Sequence, residues 1–224
     1  MRKKILIIVM MLLFAVCSSG RAEIITIGIE GIVDSVDDSY NLLESEISAG
    51  DTITGWYIYD SETPDLEPST YNGIYEHTTT PYGFSLTIGN LTFQTDPTDV
   101  DFVIGIENNY YGGPWDYYTV TSSKNLPLDN GVSVDNLHWQ LDDYPGTAIS
   151  SDELTIVPPH LSKWKHNNRL SILGGQYPFP SPTEKTLFGI NGHVTSDWLI
   201  PEPATLLLFG LGGLFLRKRN LNIL

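Results

Sequence analysis

Cysteine is nearly absent from this chain. The one present, Cys17, lies close to the start, so a domain that begins downstream of it has no disulfide and no thiol nucleophile. Its core must hold by packing alone. Basic residues are also scarce, with 12 Lys and Arg against 27 Asp and Glu and a formal net charge of −15. Seven of those bases (Arg2, Lys3, Lys4, Arg21, Arg217, Lys218 and Arg219) sit at the two ends, which leaves Lys124, Lys163, Lys165, Arg169 and Lys185 for the middle. Between Glu23 and Ser123 there is no Lys or Arg at all. Such a surface repels nucleic acid and anionic head groups, and nucleic-acid binding is excluded. Catalytic patterns are missing too. His77, His138, His160, His166 and His193 are scattered without His-x-x-x-His or His-x-His spacing, and there is neither a Gly-x-Ser-x-Gly elbow nor a phosphate-binding Walker loop. Coincidental pairs among so many acids leave glycoside hydrolysis formally open. No catalytic residue is assigned, and the chain is expected not to be an enzyme.

The ends are more explicit. Residues 1–22 have a basic start (Arg2, Lys3, Lys4), an apolar run from Ile5 to Val16, and small residues at Gly20 and Ala22, as in a secretory signal peptide. Bulky Phe14 and Val16 before Cys17 argue against a lipoprotein signal. At the other end, Pro201-Glu202-Pro203 precedes an apolar segment, Ala204 to Leu216, and then Arg217-Lys218-Arg219. Two prolines hold an extended backbone that a protease can grip. A helix over the apolar segment would be about 20 Å long at ~1.5 Å per residue, short of a ~30 Å hydrocarbon core, and the basic cluster would stay on the cytoplasmic side. Gly210, Gly212 and Gly213 weaken it further as a permanent span. This suits a segment that is held briefly and then cut.

This tripartite tail resembles the PEP-CTERM sorting signal of Gram-negative bacteria. The resemblance covers residues 199–224, although Asn220 to Leu224 continue past the basic stop where such signals usually end. It implies an exosortase-type enzyme as partner, a passage through the membrane, and a destination at the cell surface or outside the cell. It also implies association with exopolysaccharide-producing systems.

Residues 23–198 remain as one domain, and they read as all-β. Period-two alternation or β-branched and aromatic runs mark Ile24–Val33, Thr52–Tyr59, Phe84–Ile88, Leu91–Gln94, Phe102–Glu107, Tyr117–Thr121, Leu137–Leu141, Leu154–Val157, Leu170–Leu173 and Leu187–Val194. Gly89-Asn90 is a two-residue hairpin signal, and Asp129-Asn130-Gly131, Tyr144-Pro145-Gly146 and Gly174-Gly175 mark further turns. Short strands with frequent turns predict a single antiparallel β-sandwich, jelly-roll-like, between the signal peptide and an apolar sorting helix. One short helix is expected after Asp38 or Ser39, with Leu42, Leu43 and Ile47 on one side.

Two stretches could carry chemistry. Asp60, Glu62, Asp65 and Glu67 concentrate carboxylates after a strand, and clustered loop oxygens suit a hard cation such as calcium. The spacing does not fit an EF-hand loop, and Asp60 and Asp65 equally suit turns closed on their own backbone. No other cofactor is implied. Tyr110, Tyr111, Trp115 and Tyr117 surround a Gly-Gly-Pro turn, where rings beside Asn and Asp could stack on sugar faces; the same rings could instead alternate into the core. Two function classes follow, a non-catalytic structural or matrix protein and a carbohydrate-binding module delivered by the same route.

One internal echo bears on the fold. Gly28-Ile29-Glu30-Gly31-Ile32-Val33-Asp34-Ser35 matches Gly189-Ile190-Asn191-Gly192-His193-Val194-Thr195-Ser196 at Gly, Ile, Gly, Val and Ser. Each stretch offers one apolar, glycine-relieved face. They are expected to be antiparallel neighbours, with only Trp198, Leu199 and Ile200 between the last strand and Pro201.

Overall fold

The computed structural model describes residues 24–67, 69–175 and 187–201. The signal peptide and the apolar segment from Ala204 to Leu216 lie outside them. Among the described residues no helix is long and apolar enough to cross a membrane.

Ten strands form: β1 (Ile24–Asp37), β2 (Thr52–Asp60), β3 (Asn72–His77), β4 (Gly83–Ile88), β5 (Leu91–Gln94), β6 (Phe102–Glu107), β7 (Asp116–Ser122), β8 (Val134–Asp143), β9 (Asn167–Gly174) and β10 (Phe188–Leu199). Their alternation decides which side is core. In β6 and β7 every second residue is buried, as with Phe102, Ile104 and Ile106 against Val103 and Glu107. The Gly89-Asn90 turn joins β4 to β5 as expected, with Ile88 opposite Leu91 and Gly89 at φ +57°.

The first and last strands do pair. β1 and β10 run antiparallel, with Gly31 opposite Val194, Ile32 opposite His193 and Val33 opposite Gly192. The shared glycines have a steric reason. A Cβ at Gly31 would collide with the His193 carbonyl, and one at Gly192 with the Ile32 carbonyl. This close approach falls where the register shifts, between Glu30 and Gly31 and again between Val33 and Ser35. Such bulges bend a strand and increase its twist.

That bending corrects the expected sandwich. Instead of two facing sheets, all ten strands belong to one antiparallel sheet in the order β3-β6-β7-β8-β9-β10-β1-β2-β4-β5. The sheet curls until its two halves share one core. The Tyr57 ring on β2 lies 6.1 Å from Trp139 on β8, and Phe93 on β5 lies 6.5 Å from Phe188 on β10. The Tyr57 and Tyr118 hydroxyls meet at 3.0 Å inside this core, so each polar end is paired. Near the seam, Thr95 and Ser122 hydroxyls bond at 2.8 Å and Thr95 bridges to Asn125.

Three local expectations differ from the fold. The helix after Asp38 is absent, because Asn41, Glu44 and Ser45 take φ between 53° and 59°, the left-handed region that interrupts a helix. Asp38 still acts as a cap, accepting the Leu42 and Leu43 N–H groups at 2.8 Å each. Leu154–Val157 is loop rather than strand. Its backbone bonds tyrosine side chains instead of a ladder: Leu154 N–H donates to the Tyr75 hydroxyl at 3.1 Å, and the Tyr59 hydroxyl donates to the Thr155 carbonyl. Conversely, β3 went unanticipated because its buried positions are Gly73, Tyr75 and His77, a mixture that does not read as an apolar face.

Candidate functional site

The point where the tail leaves the domain is well ordered by pairing. β10 runs to Leu199, and the Ile200 N–H donates to the Thr26 carbonyl at 2.8 Å. The register places Trp198 opposite Gly28, with Leu199 opposite Ile27. Gly28 is required there, because any Cβ would strike the Trp198 indole. Pro201 follows at once. Glu202, Pro203 and the basic stop Arg217, Lys218 and Arg219 lie outside the described residues.

Just inside this exit, Asp197 is half-buried and its Oδ2 has no hydrogen-bond partner. Burial pushes its pKa up to about 6, with His160 pulling the other way.

The acidic loop closes on itself. Asp60 Oδ1 accepts the Glu62 N–H at 2.9 Å, and Asp65 Oδ1 accepts those of Glu67 and Ile74, also at 2.9 Å. Asp60 Oδ2 receives the Tyr82 hydroxyl at 3.3 Å. His77 anchors the loop from beneath: its Nε2 accepts the Asp60 N–H at 3.1 Å and meets the Thr63 hydroxyl at 2.9 Å. Burial lowers its pKa and favours the neutral ring that this acceptor role needs. Among the described residues, no group of three or more His, Cys, Asp or Glu gathers as a metal site.

The aromatic stretch gathers partners from elsewhere in the chain. Trp115 is its hub. It lies nearly parallel to Tyr117 at 6.0 Å and 14°, meets Tyr144 at 5.0 Å, and stands perpendicular to His166 at 4.7 Å. Tyr110 packs edge-on against Tyr117 at 5.8 Å. Tyr110 and Tyr144 are exposed, whereas Trp115 and Tyr117 are partly buried. The next ring on β7, Tyr118, points into the core. Strand alternation thus turns Tyr118 inward and leaves Tyr117 partly exposed on the other face. The Tyr111 side chain lies outside what the structure describes.

Buried carboxylates hold this cluster in place. Asp116, fully buried, accepts the Asn109 N–H at 3.0 Å, the Ala148 N–H at 2.9 Å and the Ile149 N–H at 3.1 Å. It therefore ties the 108–115 loop to the 144–166 loop. Gly146, at φ +74°, lets the second loop pass Pro114 closely. Asp143 accepts both the N–H and the hydroxyl of Thr147. Burial alone would raise its pKa, but these bonds and Lys165 hold it below the usual carboxylate value.

A polar ladder runs from the rings along the outer face of β8. Thr121 Oγ1 and His138 Nδ1 lie 2.9 Å apart, His138 Nε2 and Gln140 Oε1 3.2 Å, and Gln140 Nε2 donates to Asp142 Oδ1 at 2.7 Å. Asp142 Oδ2 stands 3.8 Å from His166 Nδ1. Glu107 is one row away, opposite Tyr117. Burial and then the nearby Asp142 charge raise its pKa. Sequence reasoning missed Tyr144, His166, Asp116 and Asp142 here. The Tyr-Pro-Gly turn was visible, but nothing local showed that it meets Trp115.

Comparison with known proteins adds one finding. A family model described as the PEP-CTERM protein-sorting motif matches residues 199–219. No curated protein and no solved structure matches the chain. The matched motif begins at Leu199, the last residue of β10. It marks an exported protein that is processed by an exosortase-type enzyme and sorted to the cell envelope.

Proposed function

We propose that this chain is a non-catalytic exported domain, held first at the membrane by its C-terminal apolar segment and then cut at or beside Pro201-Glu202-Pro203. It is a substrate, and the nucleophile belongs to the sorting enzyme. The domain is then left at the cell surface or in the extracellular matrix, where exopolysaccharide is its expected neighbour. The observation that carries this reading is the sorting motif at residues 199–219. Intact-mass analysis of the mature protein from its own host tests it. The expected species ends near Pro201 to Pro203, and a species still ending at Leu224 overturns the reading.

The cluster around Trp115 favours a second reading, a surface-delivered carbohydrate-binding module. Ring faces attract the apolar face of a sugar, and the partly exposed Gln140 and Glu107 side chains lie within the same surface to bond hydroxyls. A calcium-dependent form of it would need Asp60 and Asp65 to turn away from their own backbone. A glycan array with the wild-type chain and Trp115→Ala tests the module reading. Binding that disappears in the variant supports it, and no binding by either chain removes it.

A further inference from the structure

Register alone shows what shares the edge from which the tail departs. β1 begins where β10 ends, since Ile27 faces Leu199, and β2 ends there too, since Ile24 faces Asp60. β8 ends and β9 begins at the same edge, with Asp142 opposite Asn167. Asp116 opposite Asp143 and Asn72 opposite Glu107 extend that edge through β7, β6 and β3. The 61–71, 108–115 and 144–166 loops and both ends of the described domain therefore leave from one side of the sheet. Of the large hydrophobic side chains that remain exposed among the described residues, all but Ile32, Tyr40 and Trp56 belong to this edge or its loops. The opposite edge presents Tyr40 alone from that set.

The exposed apolar surface is densest at the exit. Trp56 and Trp198 stand opposite Gly28 from its two sides, so all three lie on the same outer face. Because Gly28 has no side chain, the Trp198 indole lies across it. Trp198 is 44% exposed, Trp56 and Ile24 are 38% exposed, and Ile200 is 36% exposed. Beside Trp56 a hollow of about 280 Å³ is lined largely by apolar groups, including Pro81, Tyr82 and Pro97. An indole with an apolar body and one N–H donor suits the boundary between head groups and acyl chains.

We propose that this patch, Trp56, Trp198, Ile24 and Ile200, docks on the surface of the lipid bilayer while the tail is in place. The occupant follows from the chain itself. Only Pro201, Glu202 and Pro203 separate Ile200 from the apolar segment Ala204 to Leu216, so the bilayer that receives it lies within reach of the patch. The lipid is zwitterionic, because the neighbouring loop carries Asp60, Glu62, Asp65 and Glu67 and no Lys or Arg occurs between Glu23 and Ser123. Docking presents the backbone at Pro201 to a membrane-embedded enzyme at a fixed height. Cutting the tail then leaves a weak interfacial contact that cannot hold the domain alone, so release follows cleavage.

The test uses the full-length chain in phosphatidylcholine vesicles whose acyl chains carry bromine close to the head groups. Bromine quenches indoles at that depth. The chain has five tryptophans, and Trp139 and Trp164 are buried in the fold. Wild-type fluorescence should be quenched, and the double variant Trp56→Phe, Trp198→Phe should lose at least half of the quenchable signal. Phenylalanine keeps the ring packing over Gly28, and an unchanged circular dichroism spectrum shows that the variant is folded. Equal quenching in wild type and variant overturns the proposal. Absent quenching also overturns it.

Discussion

Two sets of carboxylates in this molecule behave in opposite ways. The set at Asp60 to Glu67 is dense in sequence and largely exposed in space, and two of its four side-chain hydrogen bonds reach only two residues along the chain. The set at Asp116, Asp142 and Asp143 is unremarked in sequence and buried in space. Asp116 bonds backbone groups up to 33 residues away. Density marks where charge is tolerated, because water solvates it. Burial marks where charge does structural work, because each buried acceptor must replace the water it lost. The acids that hold the aromatic surface together are therefore the ones a count of acids overlooks.

The largest test of this contrast is Asp116→Ala. It strands three backbone N–H groups at the junction of two loops and should cost about 3 kcal/mol or more of folding stability. Urea denaturation measures it, and a cost near that of an exposed loop acid would remove the distinction. Next is Trp115→Ala, which removes the ring that meets Tyr117, Tyr144 and His166. A loss of about 2 kcal/mol is expected, together with a reduced near-ultraviolet circular dichroism signal.

Asp197 sharpens the contrast through pH. Its folded pKa, about 6, is raised above the ordinary aspartate value of 3.8, so the folded state binds its proton more tightly than the unfolded chain does. The resulting stability is fully present below about pH 4 and is lost as pH rises through about 6. Because the group is only half-buried, solvent screening reduces the effect to about 1 kcal/mol. Comparing Asp197→Asn with wild type by urea denaturation between pH 4 and 7 isolates it, and the variant should lack that part of the slope.

The smallest effect is expected from Asp65→Ala, which breaks two exposed bonds at a cost of about 0.5 kcal/mol. Saturating Ca²⁺ probes the same loop, since an ion held there would raise the melting temperature by mass action. With Asp60 and Asp65 turned onto their own backbone, no shift is expected.

Much of the fold was legible because it is local. Leu91–Gln94 and Phe102–Glu107 appear with their expected bounds, since alternation and turn chemistry act within a few residues. The pairing of β1 with β10 was legible for a different reason. Two strands that approach closely both need glycine at the crossing, and that shared need left the same spacing in both. The sandwich was not legible. Whether strands form two sheets or one curled sheet depends on bulges such as those at Glu30/Gly31 and Val33/Ser35, and a bulge is a relation between strands. β3 escaped for a related reason: its inward side carries Gly73 and His77, whose burial depends on what β6 and the acidic loop place around them.

The sequence by itself determined where the protein goes, because the tail is read as a linear signal whose parts act in order along the chain. It also determined that the domain is built of strands, because side-chain alternation is a property of consecutive residues. Only the tertiary structure decided that Trp115 meets Tyr144 and His166, that Asp116 rather than Asp65 is the structural carboxylate, and that exposed tryptophans stand at the exit of the tail. Each of those facts joins residues far apart in the chain. Contacts of that kind arise from how the sheet curls and which edge its loops share, and no single stretch of chain encodes them.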